Sequence, residues 1–166
     1  KEAAGAEPLV SLTPFKAMKA GIVTTGNEVY YGRIKDTFTS VIIEKMAAYG
    51  IEVCGHILCD DNMERITDAI LKLKEEGADL ILCTGGMSVD PDDRTPGAIK
   101  NTGARIVSYG APVLPGAMFL LAYFEDGTPV LGLPGCVMYA KATVFDLVLP
   151  RIAAGVEITK KELTHM

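Results

Sequence analysis

One stretch of the sequence, TGGMSVDPDD from Thr84 to Asp93, combines residue types that can hold a phosphate and a metal ion. Gly85 and Gly86 let the backbone approach a ligand closely, and their amide groups suit an oxyanion. The hydroxyl groups of Thr84 and Ser88 add donors. Three aspartates follow; they would repel a bare phosphate but would bind Mg²⁺, which can bridge carboxylates to phosphates. The stretch therefore indicates either a site for a metal-bound phosphate or a solvated surface turn.

Two further stretches place a glycine at the end of an apolar run. One is TTGNE, from Thr24 to Glu28, and the other is LGLPGC, from Leu131 to Cys136. In open α/β sheets, ligands bind outside the carboxyl ends of the strands. If these apolar runs are parallel strands, their loops meet at one edge of the sheet and can form one site with the first stretch.

Asp36 admits two interpretations. It lies directly before a predicted helix and could cap its first turn, which position alone favours over a functional role. Arg94 and Lys100 could hold an anion or could lie in solvent. His56 falls inside a strand pattern with no cysteine or carboxylate partner visible, so we interpret it as structural.

Strands and helices alternate along the chain, and they must position these loops. Apolar runs predict strands, and residues 118–133 predict a hairpin that turns at Asp126 and Gly127. Residues 26–36 have the composition of a loop. The predicted strands are 18–25, 51–59, 78–83 and 104–110, and the predicted helices include 37–49, 61–77 and 137–155. Asp61 and Glu64 have the spacing of a capping box at the start of the helix at 61–77. A further helix is expected to be capped by Thr95, with Pro96 in its first position.

This alternation predicts a three-layer, doubly wound α/β domain with a mixed, mostly parallel sheet. We assign the domain to residues 18–155. Residues 1–17 contain two prolines and no periodicity, and we interpret them as a linker or arm. Residues 156–166 are expected to form a polar, peripheral tail. Because the chain begins at Lys1, we expect a fragment of a longer protein with other domains.

Composition excludes several classes of partner. The chain has 166 residues and a net charge of −5, which argues against nucleic acid, because phosphate backbones are bound by clustered lysine and arginine. No apolar run approaches the roughly 20 residues that span a bilayer, and no secretory signal is visible, so we expect neither a membrane nor export.

The four cysteines lack the spacing of a zinc site. None forms a C-x-x-C pair, and most lie in apolar, strand-like runs, so we expect buried free thiols without a structural metal. Free thiols indicate a cytoplasmic protein. The residues concerned are Cys54, Cys59, Cys83 and Cys136.

Five segments together resemble the molybdopterin-binding domain of molybdenum cofactor biosynthesis proteins. They are TTGNE, GRIKDTF, DLILCTGGMSVDPDDRTPGAI, LPGAM and GLPGCVMYAKATVFDLVLPRI, and they occur in the family's order and at similar spacing over residues 18–153. The ordered set is specific, although each motif alone is modest. Within the family, the segment GGMSVDPDD looks most like the molybdenum-insertion branch, the molybdopterin molybdenumtransferases, whereas DDRTPGAI looks more like the adenylyltransferase branch.

The resemblance implies a ligand, a cofactor and a set of site residues. The ligand would be molybdopterin, a pterin with a dithiolene and a terminal phosphate, or its adenylylated form, with molybdate as co-substrate. Asp36 and Asp93 would correspond to the family's catalytic carboxylates and would bind Mg²⁺. The residues implied to contact the ligand are Thr25, Gly26, Glu28, Thr84, Gly85, Gly86, Ser88, Pro115, Gly116, Pro134 and Gly135.

Three functions follow from the resemblance and stay open. The first is Mg²⁺-dependent insertion of molybdate into adenylylated molybdopterin with release of AMP, and Asp36 and Asp93 favour it. The second is a non-catalytic module that carries or senses the cofactor; Cys136 and Val137, which replace the family's Asn-Pro, favour this function. The third is adenylylation of molybdopterin with ATP. Family members are commonly dimers or trimers, so we expect a homo-oligomer.

Overall fold

Six β-strands form the centre of the molecule. The computed structural model describes residues 10–166. The strands alternate with helices in the first two-thirds of the described chain, as their apolar runs predict. They are β1 (Met18–Thr25), β2 (Ile51–Cys59), β3 (Leu80–Thr84), β4 (Arg105–Tyr109), β5 (Leu120–Tyr123) and β6 (Pro129–Leu133).

The sheet is mixed and mostly parallel, with the strand order β2-β1-β3-β6-β5-β4. β1 pairs in parallel with β2 and β3, and β3 pairs in parallel with β6. β5 runs antiparallel to both β6 and β4, so it is the single strand that is reversed. The hairpin predicted at Asp126 and Gly127 is confirmed as the turn between β5 and β6.

Helices cover both faces of the sheet and complete the predicted three layers. One core contains residues of α2 (Phe38–Ala47) and α5 (Val144–Ala153), and the other contains residues of α3 (Met63–Glu75) and α4 (Thr95–Asn101). In α3 the buried stripe is Ile66, Ala69, Ile70 and Leu73, at the spacing of one helix face. The helices are α1 (Asn27–Tyr30), α2 (Phe38–Ala47), α3 (Met63–Glu75), α4 (Thr95–Asn101), α5 (Val144–Ala153) and α6 (Lys160–Leu163).

The helix boundaries differ from the predictions in four places. The expected loop at residues 26–36 contains α1. Asn62, not Asp61, caps α3, because its side chain accepts a hydrogen bond from the amide of Arg65. Thr95 does not cap α4, since its hydroxyl donates to a neighbouring loop. The helix expected from residue 137 is split into a short 3-10 helix at Gly135–Met138 and α5.

The C-terminal segment is part of the core and not the peripheral tail expected at residues 156–166. Ile158 is fully buried and Leu163 is 1% exposed. The amide of Ile158 donates to the hydroxyl of Tyr123 at 3.0 Å, which ties the segment to β5. Of the predicted arm, residues 1–9 lie outside the described part. Lys16 donates its amide to the carbonyl of Ala153.

The four cysteines are unpaired, and two of them are buried as expected. Cys59 and Cys83 lie in the core, Cys136 is half-buried and Cys54 is exposed. Cys54 departs from the expectation because β2 is an edge strand, and one of its faces reaches solvent. None of the helices in residues 10–166 combines the length and the apolar character needed to cross a bilayer.

Candidate functional site

The loops singled out from the sequence meet at one edge of the sheet. β1, β3 and β6 are parallel, so the loops that begin after Thr25, Thr84 and Leu133 leave from the same side. Leu120 at the start of β5 pairs with Gly132 near the end of β6, which brings the loop before β5 to that side as well. The topology therefore places these loops together at the carboxyl edge of the parallel strands.

The loop after β3 lies directly against the end of β1. Gly85 has φ +81°, and a Cβ at this position would lie 2.2 Å from the carbonyl oxygen of Thr25. A Cβ at Gly86 would lie 2.9 Å from the hydroxyl of Thr95. That hydroxyl donates to the carbonyl of Gly85 at 2.8 Å and also contacts the Thr25 hydroxyl at 3.2 Å. Both glycines are therefore required by close approach as well as by backbone conformation.

Two successive amides in this loop have no protein acceptor. The N–H groups of Gly86 and Met87 donate no hydrogen bond to any acceptor within residues 10–166, whereas Gly85 directly follows Thr84, which is still paired with Leu133 in the sheet. The next amide, that of Ser88, donates to Asp93 at 2.6 Å. A run of unsatisfied backbone donors is a feature of anion sites in proteins.

Asp93 closes the loop on itself. One of its oxygens, Oδ2, accepts hydrogen bonds from both the amide and the hydroxyl of Ser88, and the hydroxyl lies at 2.9 Å. The hydroxyl of Tyr109, at the end of β4, donates to the carbonyl of Ser88 at 3.3 Å. Burial, together with the nearby carboxylate of Asp93, raises the pKa of Tyr109, so this hydroxyl stays a donor. The other oxygen of Asp93, Oδ1, has no partner among the described residues.

An open cavity of about 690 Å³ lies between the loops after β1 and β3. Five of its lining residues carry carboxylates, and one lining residue, Arg94, carries a positive charge. The guanidinium group of Arg94 lies 3.7 Å from the carboxylate of Asp92. The cavity brings together five of the predicted site residues, which are Thr25, Gly26, Glu28, Gly86 and Asp93.

Asp36 lies on the other face of the sheet. Thr24 and Thr25 are adjacent in β1 and point to opposite faces, and Asp36 contacts the hydroxyl of Thr24, whereas Thr25 contacts α4. Asp36 accepts the amides of Phe38 and Thr39 at 2.9 and 3.1 Å, so it does cap the first turn of α2. Asp36 is absent from the residues that line the cavity around Asp93.

The ionised form of Asp36 is favoured by its neighbours. Burial alone would raise its pKa, but hydrogen bonds from Thr39 and Phe38, together with the nearby His56, lower the pKa below its ordinary value. The Thr39 hydroxyl donates to Oδ2 at 2.5 Å. With the Thr24 hydroxyl at 3.4 Å, four donors surround a carboxylate that has about four acceptor positions.

His56 is a residue whose surroundings the sequence did not reveal. Its Nε2 atom lies 3.0 Å from the Thr24 hydroxyl and 3.7 Å from Asp36, although 20 positions separate it from Asp36 along the chain. The sequence placed His56 in a strand pattern, and the structure pairs that strand with β1. Thr84, predicted as a ligand contact, is fully buried and donates to Thr24 at 3.3 Å.

The two Pro-Gly turns shape the same edge without lining the cavity. A Cβ at Gly116 would lie 2.7 Å from Val144, and the carbonyl of Pro115 accepts the amide of Val144, so this turn packs on the start of α5. Pro134 is buried, whereas Gly135 is exposed and has nothing near the place of a Cβ. For these turns, ligand contact stays a prediction.

The described residues do not fit a Mg²⁺ ion held jointly by Asp36 and Asp93. Within residues 10–166, no group of three or more histidine, cysteine, aspartate or glutamate residues is arranged to hold a metal ion. Asp36 has its acceptor positions filled, and it lies on the face opposite to Asp93. Of these two carboxylates, that of Asp93 keeps one oxygen, Oδ1, that a cation could approach.

Comparisons with known proteins give relatives of two kinds. Curated relatives include a "Putative competence-damage inducible protein" of Bacillus mycoides, 39% identical over 51% of this chain, and that of Bacillus cereus, 35% identical over 58%. These matches span only 20% and 23% of the relatives' own length. They therefore relate a domain of this size to part of a longer protein.

Solved structures share the fold at low sequence identity. The molybdopterin biosynthesis enzyme MoaB of Thermus thermophilus is 24% identical, with a TM-score of 0.62 over 83% of this chain and 97% of that one. CinA of Thermoplasma acidophilum, a protein of unknown function, is 21% identical with a TM-score of 0.57 over 72% and 89%. A family model described as "Probable molybdopterin binding domain" matches residues 21–154, which is most of the described chain. With this match, and with a mixed sheet whose edge assembles the family's loops, the chain belongs to the molybdopterin-binding domain family of molybdenum cofactor biosynthesis proteins.

Proposed function

We propose that the domain binds molybdopterin, or its adenylylated form, in the cavity between the loops after β1 and β3. The observation that carries the proposal is the pair of amides at Gly86 and Met87 with no acceptor among the described residues, of which Gly86 lines the cavity. These amides supply partial positive charge to a phosphate without a flexible side chain.

The charges of the cavity limit what it can accept. Five carboxylates surround the space, so a small free anion such as inorganic phosphate is opposed by like charge. Ionised carboxylates only accept hydrogen bonds, and the amino and ring N–H groups of a pterin are donors. A ligand with a donor-rich ring at one end and a phosphate at the other therefore matches the cavity better than either part alone.

A second candidate function is insertion of molybdate into adenylylated molybdopterin with release of AMP. The observation that favours it is the free Oδ1 atom of Asp93 beside the unsatisfied amides. Asp36 gives no comparable support, because three hydrogen bonds from α2 already hold its carboxylate. Binding without turnover, as in a carrier or sensor, therefore needs fewer changes to the observed contacts.

Calorimetry with four ligands tests the binding proposal. We expect heat of binding with molybdopterin and adenylylated molybdopterin, at least tenfold weaker binding of the dephosphorylated pterin, which loses charge-assisted bonds to the amides, and no measurable binding of inorganic phosphate. Equal affinity for the pterin with and without its phosphate would contradict the role of the amides. Detection of AMP after addition of molybdate separates insertion from binding alone.

A further inference from the structure

His56, in β2, belongs to a polar cluster with residues of three other elements, β1, α2 and β3. Its Nε2 atom is 3.0 Å from the hydroxyl of Thr24 in β1 and 3.3 Å from the hydroxyl of Thr39 in α2. The carboxylate of Asp36 lies 3.7 Å away, and Thr84 of β3 reaches Thr24 at 3.3 Å. None of these residues lines the cavity that contains Asp93. Thr24 is 4% exposed and Thr84 is fully buried, whereas 31% of the His56 side chain is exposed to solvent.

The hydrogen atoms of this cluster can be counted. Thr39 has a single hydroxyl proton, and its 2.5 Å contact with Asp36 commits that proton to the carboxylate. Thr84 donates to Thr24, so Thr24 already acts as an acceptor once. One hydroxyl proton, that of Thr24, remains to be shared among Asp36, Thr39 and His56.

An unprotonated Nε2 atom does not fit this count. It would take the proton of Thr24 away from Asp36, and its lone pair would face the carboxylate and the Thr39 oxygen. A protonated Nε2 atom instead donates to Thr24, which then accepts twice and donates to Asp36. Every polar hydrogen then has an acceptor, and the N–H edge of the ring faces the negative carboxylate.

We propose that His56 is a positioning residue for Asp36, and that its neutral ring is held with the proton on Nε2. Nε2–H donates to Thr24, which turns the Thr24 proton toward Asp36 and fixes the carboxylate at the start of α2. Thr24 is adjacent to Thr25, so the same contact steadies the end of β1 where the ligand cavity begins. This effect on the ligand rests on the proposed binding function, whereas the tautomer of the His56 ring does not depend on it.

Nuclear magnetic resonance of the ¹⁵N-labelled histidines measures the state of the ring directly. The chain has two histidines, and His165 is exposed near the C-terminus, which makes it an internal control. At about pH 8.5, where an ordinary imidazole is neutral, we expect protonated Nε2 and unprotonated Nδ1 for His56, and a mixture of both tautomers for His165. The Nδ1–H form of His56, or a mixture like that of His165, would overturn the proposal.

Variants of the donor and of its acceptor test the contact. Thr24→Val removes the hydroxyl and should return His56 to a mixture of tautomers, and Thr24→Ser should keep the Nε2–H form. His56→Gln places an N–H donor near the former Nε2 atom, whereas His56→Asn places one near the former Nδ1 atom. The Gln variant should keep the affinity for adenylylated molybdopterin within about twofold, and the Asn variant should lose on the order of tenfold, as expected for one hydrogen bond to a charged network.

The two readouts separate this inference from the proposed function. If the unmodified chain binds no pterin, the proposed function fails, and the tautomer of His56 still decides whether the contact exists. If the chain binds pterin and the Asn and Gln variants bind equally well, the positioning role is wrong, whatever the tautomer. Near-ultraviolet circular dichroism of each variant establishes that the fold is kept before either readout is compared.

Discussion

Asp36 and Asp93 are the same residue type, but their neighbours give them different chemistry. All the acceptor positions of Asp36 are filled by donors from α2 and β1, so its carboxylate acts inside the fold. Asp93 uses one oxygen to close a loop and leaves the other free at a cavity. A ligand or a cation can therefore approach Asp93 without displacing a hydrogen bond, and it cannot do so at Asp36.

Asp93→Asn tests the free oxygen. The amide oxygen of asparagine can accept both bonds from Ser88, so the melting temperature should change by less than about 2 °C, as for a surface substitution. The charge is lost, so any Mg²⁺-dependent part of the affinity for adenylylated molybdopterin should disappear. Calorimetry with Mg²⁺ and with a chelator measures this part.

Glu125→Gln is the matched control for Asp93→Asn. It removes one negative charge from the exposed turn between β5 and β6, at the opposite edge of the sheet, and should leave binding unchanged. A melting temperature that falls steeply in Asp93→Asn while the affinity persists would show that Asp93 only supports the loop.

Asp36 and Asp93 were singled out by the resemblance to the family, which rests on local motifs, whereas position alone favoured a helix cap for Asp36. The sequence could not place them on opposite faces, since that depends on which of two adjacent threonines each one contacts. His56 was missed for the same reason. Its partners come from β1 and α2, and a pairing between a strand and a helix leaves no spacing pattern in the chain.

At the scale of elements, the start of α2 depends on the charge of Asp36. Because the pKa of Asp36 is lowered in the folded chain, its stabilising effect is present above its ordinary value of 3.8 and is lost as the pH falls through the lower folded value. Asp36→Asn should therefore reduce the unfolding free energy by about 0.5–1.5 kcal/mol at pH 7. The difference from the unmodified chain should stay constant from about pH 7 to 5 and then close in more acidic solution. Urea denaturation across this range measures the difference, and a gap that widens in acid would refute the assignment.

The contact between the β3 loop and β1 gives a prediction for a single glycine. Gly85→Ala introduces a Cβ that would lie 2.2 Å from the Thr25 carbonyl, at a residue with φ +81°, so we expect a loss of about 2 kcal/mol or more. Gly135→Ala is the control, because nothing lies within 4 Å of its Cβ position, and it should change stability by less than about 0.5 kcal/mol. Equal denaturation midpoints for the two variants would contradict the close approach.

Periodicity predicted the elements well where burial is continuous, and less well at their ends. The strands of the sheet centre were predicted because both faces are covered by helices, so their residues are apolar without interruption. Capping residues were assigned one position away, since Asp61 and Asn62 are both good caps and the choice depends on the contact of Asp61 with Asn27 across a loop. The break before α5 was missed because the apolar composition continues through it.

At the scale of the whole molecule, the C-terminal segment stabilises the fold, although its polar composition did not indicate this. Ile158→Ala and Leu163→Ala each leave a cavity at a buried site and should lower the unfolding free energy by about 2 kcal/mol or more. Lys160→Ala and Lys161→Ala, on the exposed side of the same segment, should have effects below about 0.5 kcal/mol. Chemical denaturation of the four variants checks this, and similar values for all four would mean that the segment is peripheral after all.

The junction of Gly85 with Thr25 has a consequence for the thermodynamics of ligand capture. Two walls of the cavity are joined to each other by main-chain contact and by the Thr95 hydroxyl before any ligand arrives. The conformational entropy of that junction is lost when the chain folds, so a ligand does not have to order it again. Affinity at this edge is then set mainly by how well the ligand replaces the water on the free amides and carboxylates. Ligands of the same shape should consequently differ in binding enthalpy through their polar groups. Their binding should show little of the heat-capacity change that accompanies the ordering of a protein segment.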